Sequence, residues 1–364
     1  MYLPHEISVY IHWPFCKSKC PYCDFYKELD RNLDQNALIA EYIDALQKYH
    51  DILPKRTVKS IFFGGGTPSL IKAENVAKII DTIALLWPLK NGAEISLEAN
   101  PNTHHRTMFA DLKSAGINRL SLGVQALNEN DLRFLGRTHT LDTARECLKQ
   151  IVHIFDNQSA DLIYARPNQN FAEWENELKE ICSYGLKHLS LYQLTIEENT
   201  VFARKNIQPL AEEKAAAMYE QTRDFLAAHG YDLYEVSNFA QNGFESAHNL
   251  TYWQGDDYIG IGKSAHGRFC INGTHYAAEY PFAHTPLSPQ ERAEELLIMG
   301  LRLTSGIDKA RFKQICGLDL LQFVNAQKLQ YLKESGLLGE TPTHLFATRA
   351  GFLLLNQLVL ELCS

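Results

Sequence analysis

Cys16, Cys20 and Cys23 stand in a C-x3-C-x2-C spacing. Three thiolates on one short loop can each hold one iron of a [4Fe–4S] cubane. A cubane has four irons, so the fourth is left open to a small molecule. Lys17 and Lys19, between the first two cysteines, would offset the negative charge of a thiolate-bound cluster. Pro14 and Pro21 disfavour helix and suit a wrapping loop. Zinc is the main competing reading, but closed zinc sites take four ligands, and His12 would be the fourth only if the strand before the loop bent back. A disulfide would leave one cysteine over, and unreactive buried cysteines rarely cluster this closely.

Other residue types with chemical use lie further along. Gly64, Gly65 and Gly66, followed by Thr67 and Pro68, let backbone approach a ligand with no Cβ in the way; a plain turn would use glycines too. Asp161 sits on an apolar run, and a buried acid needs a partner. His248, Asn249, Tyr252 and Trp253 form H-N-x-x-Y-W. A histidine can ligate heme iron and aromatic rings can stack on a porphyrin. The plainer reading has His248 and Asn249 fixing backbone, with the two rings packed under a barrel. His266 is a second, lesser candidate.

The elements that must position these residues follow from periodicity. Strand-like runs at 7–13, 58–63, 94–99, 119–124, 159–164 and 188–194 alternate with helix-like runs at 36–50, 73–87, 105–115, 128–155 and 171–184. Repeated βα units imply a parallel sheet, and six of them fit an α/β fold of the partial (β/α)6 barrel type, with a doubly wound sheet as runner-up. The cysteine loop follows the first strand and the glycines the second. Glu98 and Gln125 end the third and fourth, Asp161 lies on the fifth, and Tyr192 and Gln193 end the sixth. Ligand sites in such folds gather at the carboxyl ends of strands. The chain divides into a barrel over 1–240, a loop-rich extension over 241–287 with 281–290 as linker, and a small, mostly helical C-terminal domain over 288–364. That last part has helices at 290–303, 309–316, 320–335 and 350–362 and a hairpin at 337–348, a winged-helix-like order.

The net charge is −8, and acidic side chains match basic ones in the C-terminal domain, which argues against a nucleic-acid binder. No secretory leader or membrane-length apolar run is evident. The five cysteines outside the loop are scattered, which suits reduced thiols in a cytoplasmic protein.

The cysteine loop followed by the glycines resembles the signature of the radical S-adenosylmethionine (SAM) superfamily. There the open iron chelates SAM, and an electron from the reduced cluster splits it to methionine and a 5′-deoxyadenosyl radical. Over nearly the whole chain the sequence is similar to the oxygen-independent coproporphyrinogen oxidase family, and within it to the HemW-type heme chaperones. The shared stretches are 10–25, 62–70, 96–101, 119–125, 135–139, 161–169, 189–197 and 248–253. The resemblance implies that Tyr10 lies against the cluster and SAM, and that Gly65, Gly66 and Thr67 belong to the loop that binds the SAM amino group. It implies that Glu98, Gln125, Arg137 and Asp161 contact SAM, and that His248 serves heme. It assigns no catalytic residue.

Two departures separate the chain from the coproporphyrinogen dehydrogenases of that family. Phe25 stands where they carry a fourth cysteine, and only fifteen residues precede Cys16, too few to help close a porphyrinogen site. A third is internal to the HemW branch: Ala165 and Arg166 replace the usual Gly-Leu, which sets an arginine near the cleft. The expectation is a cytoplasmic [4Fe–4S] protein that binds SAM and heme and passes heme to acceptor proteins, some at a membrane. An electron donor for the cluster is a further partner, and a homodimer is left open. The rivals are oxygen-independent coproporphyrinogen III dehydrogenase, which oxidatively decarboxylates to protoporphyrinogen IX, and an unrelated radical SAM reaction.

Overall fold

The β-branched runs of the first two-thirds of the chain form strands and the 3.6-periodic runs form helices. The structure, a computed structural model, describes residues 4–29, 33–103 and 107–363. β1 (Glu6–Trp13) leads into the cysteine loop, framed by two short parallel strands, β2 (Phe15–Cys16) and β3 (Glu28–Leu29). Then come α1 (Gln35–Ile52), β4 (Thr57–Gly65), α2 (Ala73–Leu86), β5 (Leu89–Ala99) and α3 (Met108–Ser114). The start of the helix expected over 105–115 lies outside the described residues. β6 (Arg119–Gln125), α4 (Glu129–Phe134), α5 (Leu141–Ile154), β7 (Asn157–Tyr164), α6 (Phe171–Ser183) and β8 (His188–Gln193) complete the six expected units. α7 (Val201–Arg204), α8 (Glu212–Ala228), β9 (Asp232–Glu235) and β10 (Asn238–Ala240) follow. The strands run β1-β4-β5-β6-β7-β8 in space, each parallel to the next.

Local chemistry sets the helix ends. Thr140 accepts from the Thr143 N–H at the start of α5, and Asn170 with Glu173 forms a reciprocal capping box on α6. The apolar faces of α1, α2, α5, α6 and α8 pack on the outside of the strands around Trp13, Phe63, Leu97, Leu122 and Trp174.

The segment expected to be loop-rich is ordered. It holds α9 (Ala247–Trp253), β11 (Tyr258–Ile261), β12 (His266–Ile271), β13 (Thr274–Glu279) and β14 (Ala283–Leu287). β11 pairs parallel to β1, so the parallel array has seven strands among the described residues, and β12 to β14 extend it antiparallel. The stretch read as a linker is the edge strand β14. These strands are short and cut by Gly255, Gly260, Gly262 and Gly273, which hides period 2 in the sequence. β11 finds its backbone partner in β1, some 250 residues away along the chain, while β12 to β14 pair in sequence from it.

α10 (Pro289–Gly300) opens the C-terminal unit with a Ser288–Glu291 capping box and proline in its first turn. The unit has its own core, which includes Leu297, Phe312, Leu332, Leu345 and Leu358, and a small sheet of Ile307–Asp308, His344–Ala347 and Leu338–Glu340. The helices expected at 320–335 and 350–362 are each split in two. Asp256 takes both Lys59 of β4 and Arg311, and Arg349 grips Asp224 of α8 at 2.7 and 3.0 Å, so charge pairs tie the unit to the barrel.

Arg166 corrects an expectation. It does not reach the cleft: it is 1% exposed and its guanidinium meets Glu177 of α6, Asp131 at 3.1 Å and the Ile163 carbonyl at 3.1 Å. Glu177 also accepts the Leu127 N–H at 2.7 Å, so the pair joins β7, α4 and α6. Ala165 beside it holds a φ of 55°, a conformation glycine takes freely. Removing one partner of a buried pair leaves the other charge uncompensated. Arg166→Met is therefore expected to lower unfolding free energy by about 3–5 kcal/mol. Urea unfolding measures it, and a change within about 0.5 kcal/mol would show that the pair contributes little.

Candidate functional site

The cysteine loop is closed at its base by the β2–β3 pair and by the Glu28 N–H, which donates to the Pro14 carbonyl at 2.7 Å. Within it the Cys23 N–H donates to the Cys20 carbonyl at 3.3 Å, and Lys27 Nζ donates to the Cys23 carbonyl at 2.6 Å. Cys16 is buried, and the Thr67 hydroxyl donates to its sulfur at 3.4 Å. Burial pushes the Cys16 thiol up; the Thr67 bond opposes this, and Cys23 and Cys20 beside it add to it. Among the described residues no three His, Cys, Asp or Glu side chains form a single-ion site; the cysteines border a cavity rather than a point.

The glycines after β4 hold that loop in place. The Gly66 N–H donates to the Trp13 carbonyl at 2.6 Å and the Thr67 N–H to the Phe15 carbonyl at 2.9 Å. A Cβ on Gly66 would stand 2.7 Å from the Phe15 oxygen, so only glycine allows the approach. Gly65, with φ of 107°, donates to Glu98 Oε2 at 3.3 Å. These N–H groups are committed to the cysteine loop and to Glu98.

Cys16, Cys20, Cys23, Gly65, Gly66, Thr67, Glu98, Gln125, Arg137 and Asp161 all line one cavity of about 470 Å³. Burial pushes the Glu98 carboxyl up to about 8, with the Asp161 carboxylate adding to it and the Gly65 N–H opposing. Burial raises Asp161 as well, against the Ser121 hydroxyl that donates to it at 2.9 Å. Two carboxyls that repel in one cavity suit a cationic ligand. Arg137 donates to Asn100 Oδ1 at 2.6 Å, to the Gly123 carbonyl at 3.0 Å and to Cys20 Sγ at 3.5 Å. Burial works against its charge, but Tyr22 and Cys20 beside it outweigh that and hold it cationic. Its buried Nε has no hydrogen-bond partner among the described residues, and the guanidinium brings positive charge to the cavity wall. The site therefore fits a ligand carrying both positive charge and carboxylate beside an iron–sulfur group on the cysteines.

Tyr10 and His248 lie elsewhere. They line a second cavity of about 280 Å³ in the barrel bore, which shares Glu98, Asp161 and Tyr192 with the first. The Tyr10 hydroxyl meets His12 Nδ1 at 3.0 Å. His248 is 1% exposed; its Nδ1 meets the Ser60 hydroxyl at 2.9 Å and its Nε2 the Tyr252 hydroxyl at 2.7 Å. It stacks on Phe62 at 4.9 Å, and burial, with Lys59 adding to it, pushes it down to about 3. Glu94 accepts from the Ser246 hydroxyl and the Ala247 and His248 N–H groups, so α9 plugs the bore. Iron ligation by His248 therefore finds no open nitrogen in this arrangement. His266 lines neither cavity.

The bore itself was missed in the sequence, though a signal is there. Five strands carry a serine two residues before a bore residue, Ser8 before Tyr10, Ser60 before Phe62, Ser96 before Glu98, Ser159 before Asp161 and Ser190 before Tyr192, and Ser121 of β6 lines the bore itself. Period 2 sends both members of each pair to the same face. A bore ringed by serines stays hollow and polar where bulky branched side chains usually fill it. Asn100, which receives Arg137, was also missed because it follows a strand as an ordinary turn residue.

Compared with known proteins, the sequence matches the radical SAM superfamily over residues 10–181 and the HemN C-terminal domain over 287–354. Radical S-adenosyl methionine domain-containing protein 1, mitochondrial, of Bos taurus is 36% identical, over 98% of this chain and 87% of that protein. Heme chaperone HemW of Bacillus subtilis (strain 168) is 36% identical, over 96% of this chain and 97% of that one. The solved structure of coproporphyrinogen III oxidase (HemN) from Escherichia coli superposes with a TM-score of 0.81 at 20% identity, over 98% of this chain and 90% of that one. That likeness bears on the fold, and it agrees with a barrel followed by a small C-terminal unit.

Proposed function

The chain belongs to the radical SAM family that includes the HemW heme chaperones, and on that premise we propose that it binds heme and hands it to acceptor proteins. Cys16, Cys20 and Cys23 would hold a [4Fe–4S] cluster, which with SAM supplies one-electron chemistry when bound. The observation that carries this reading is convergence. Three cysteines of one loop, the glycines after β4, and Glu98, Gln125, Arg137 and Asp161 from three further βα units border a single cavity.

The chain's own residues divide the work. Carbonyls of the glycine loop accept from the SAM amino group, Glu98 and Asp161 face positive charge, and Arg137 holds the Cys20 side of the loop and sets its positive charge toward a carboxylate. A cytoplasmic location, an electron donor for the cluster and acceptors held at a membrane belong to the same proposal. No helix among the described residues is long and apolar enough to cross a membrane, so a membrane-held acceptor would be met from the membrane surface.

Anaerobically reconstituted protein, titrated with heme and followed by absorbance, is expected to bind near one heme per chain and release it to an apo-acceptor. An absence of binding would overturn the proposal. Conversion of coproporphyrinogen III to protoporphyrinogen IX with SAM and a reductant would favour the dehydrogenase reading, against which Phe25 at the fourth-cysteine position counts.

A further inference from the structure

We infer that heme docks at the mouth of the cysteine-lined cavity, its porphyrin face stacked on Phe25 and Tyr192 and its carboxylates toward the lysines of the cysteine loop. The inference rests on the heme-chaperone reading and gives it a site. Phe25 is 67% exposed and Tyr192 is 45% exposed. Among the described residues they are the large exposed apolar side chains that border this cavity. Exposed aromatic rings at the rim of a site mark a surface that something covers.

The backbone that carries each ring is held in place. Lys27 Nζ donates to the Cys23 carbonyl at 2.6 Å and the Phe25 carbonyl at 3.2 Å, which pins the turn that presents Phe25. Tyr192 ends β8, and its hydroxyl lies toward Asp161 and Ser190 while the ring remains open. The two residues come from β1's loop and from β8, the two ends of the six-strand array, and both line this cavity, with Tyr192 standing where it meets the bore. Aromatic side chains on a fixed backbone have only two side-chain torsions to lose on binding a flat ligand.

Charge orients the ligand. Residues 16–27 carry Lys17, Lys19 and Lys27 against one acid, Asp24, whereas the β8 side of the rim carries Glu197. A porphyrin with its carboxylates toward the cysteine loop meets the cations and keeps clear of Glu197. Stacking engages the macrocycle rather than the iron, which leaves the iron open to an acceptor's ligand.

The test uses the full reconstituted chain. Phe25→Ala, Tyr192→Ala and the double variant are compared with Tyr331→Ala, an equally exposed aromatic in the C-terminal unit. Heme affinity is expected to fall about fivefold or more in each site variant and about 25-fold in the double one, with Tyr331→Ala unchanged. Metal-free protoporphyrin IX is expected to compete with heme at similar affinity. Cluster content and circular dichroism confirm that each variant is folded. If the native protein binds heme and the double variant binds it equally well, or if protoporphyrin fails to compete, the placement is overturned and the chaperone reading stands. If the native protein binds no heme, the chaperone reading itself fails.

Discussion

Replacing Cys16, Cys20 or Cys23 with alanine is expected to leave the purified protein without a stoichiometric iron–sulfur cluster. Anaerobic reconstitution of the native chain should yield about four irons and four sulfides per chain, and each variant should fall well below one. The reason is that each thiolate is one of three anchors, and the loop offers no spare. Lys27 and the glycine loop fix its backbone in one arrangement, so a neighbouring residue cannot swing in. Changing Cys147, Cys182, Cys270 or Cys316, none of which borders the cavity, should leave iron and sulfide unchanged. One zinc per chain in place of iron, or a cluster that survives any of the three substitutions, would sink the assignment.

The affinity for SAM is expected to weaken as pH falls, through Glu98. In the ligand-free chain this carboxyl is pushed up to about 8 by burial, with Asp161 adding to it, so it is largely protonated at neutral pH. A cationic ligand favours the ionised form, so binding must release that proton. The dissociation constant should therefore rise toward about tenfold per pH unit below about pH 8 and flatten above it. Glu98→Gln should abolish this dependence and weaken binding about tenfold or more at high pH. Calorimetry at about pH 6.5 and about pH 8.5, in buffers of different ionisation enthalpy, reads both the affinity and the proton count. Equal affinity at the two pH values, with no proton released, would count against Glu98 as the cation's partner. The same shift has a stability sign. Folded Glu98 binds a proton that the unfolded chain has lost between about pH 4.5 and about pH 8, so the ligand-free fold loses stability as pH rises through that window, and a bound cation restores it.

Much of this site was legible before any tertiary structure. The spacing of Cys16, Cys20 and Cys23, the glycines after β4, and the polar residues at strand ends all converge where the βα pattern places them, because those signals are local and the parallel fold gathers strand ends on one face. Arg166 and His248 went the other way. Each has the chemistry of a ligand-binding residue, and each is enclosed: Arg166 by Glu177 and Asp131, His248 by Ser60 and Tyr252. Residue type says what a side chain can do; whether its partners are already supplied depends on neighbours that are remote in the chain.

Period and spacing are enough to set the alternation of strands and helices, the cysteine motif and the face on which the polar residues gather. Long-range packing is what sets β11 in the barrel beside β1, plugs the bore with α9, and leaves that bore hollow between its serines. Period 2 tells which residues share a face of a strand. Whether that face is packed, wet or open is settled by the curl of the sheet and by what closes over it, through contacts between segments as much as 250 residues apart.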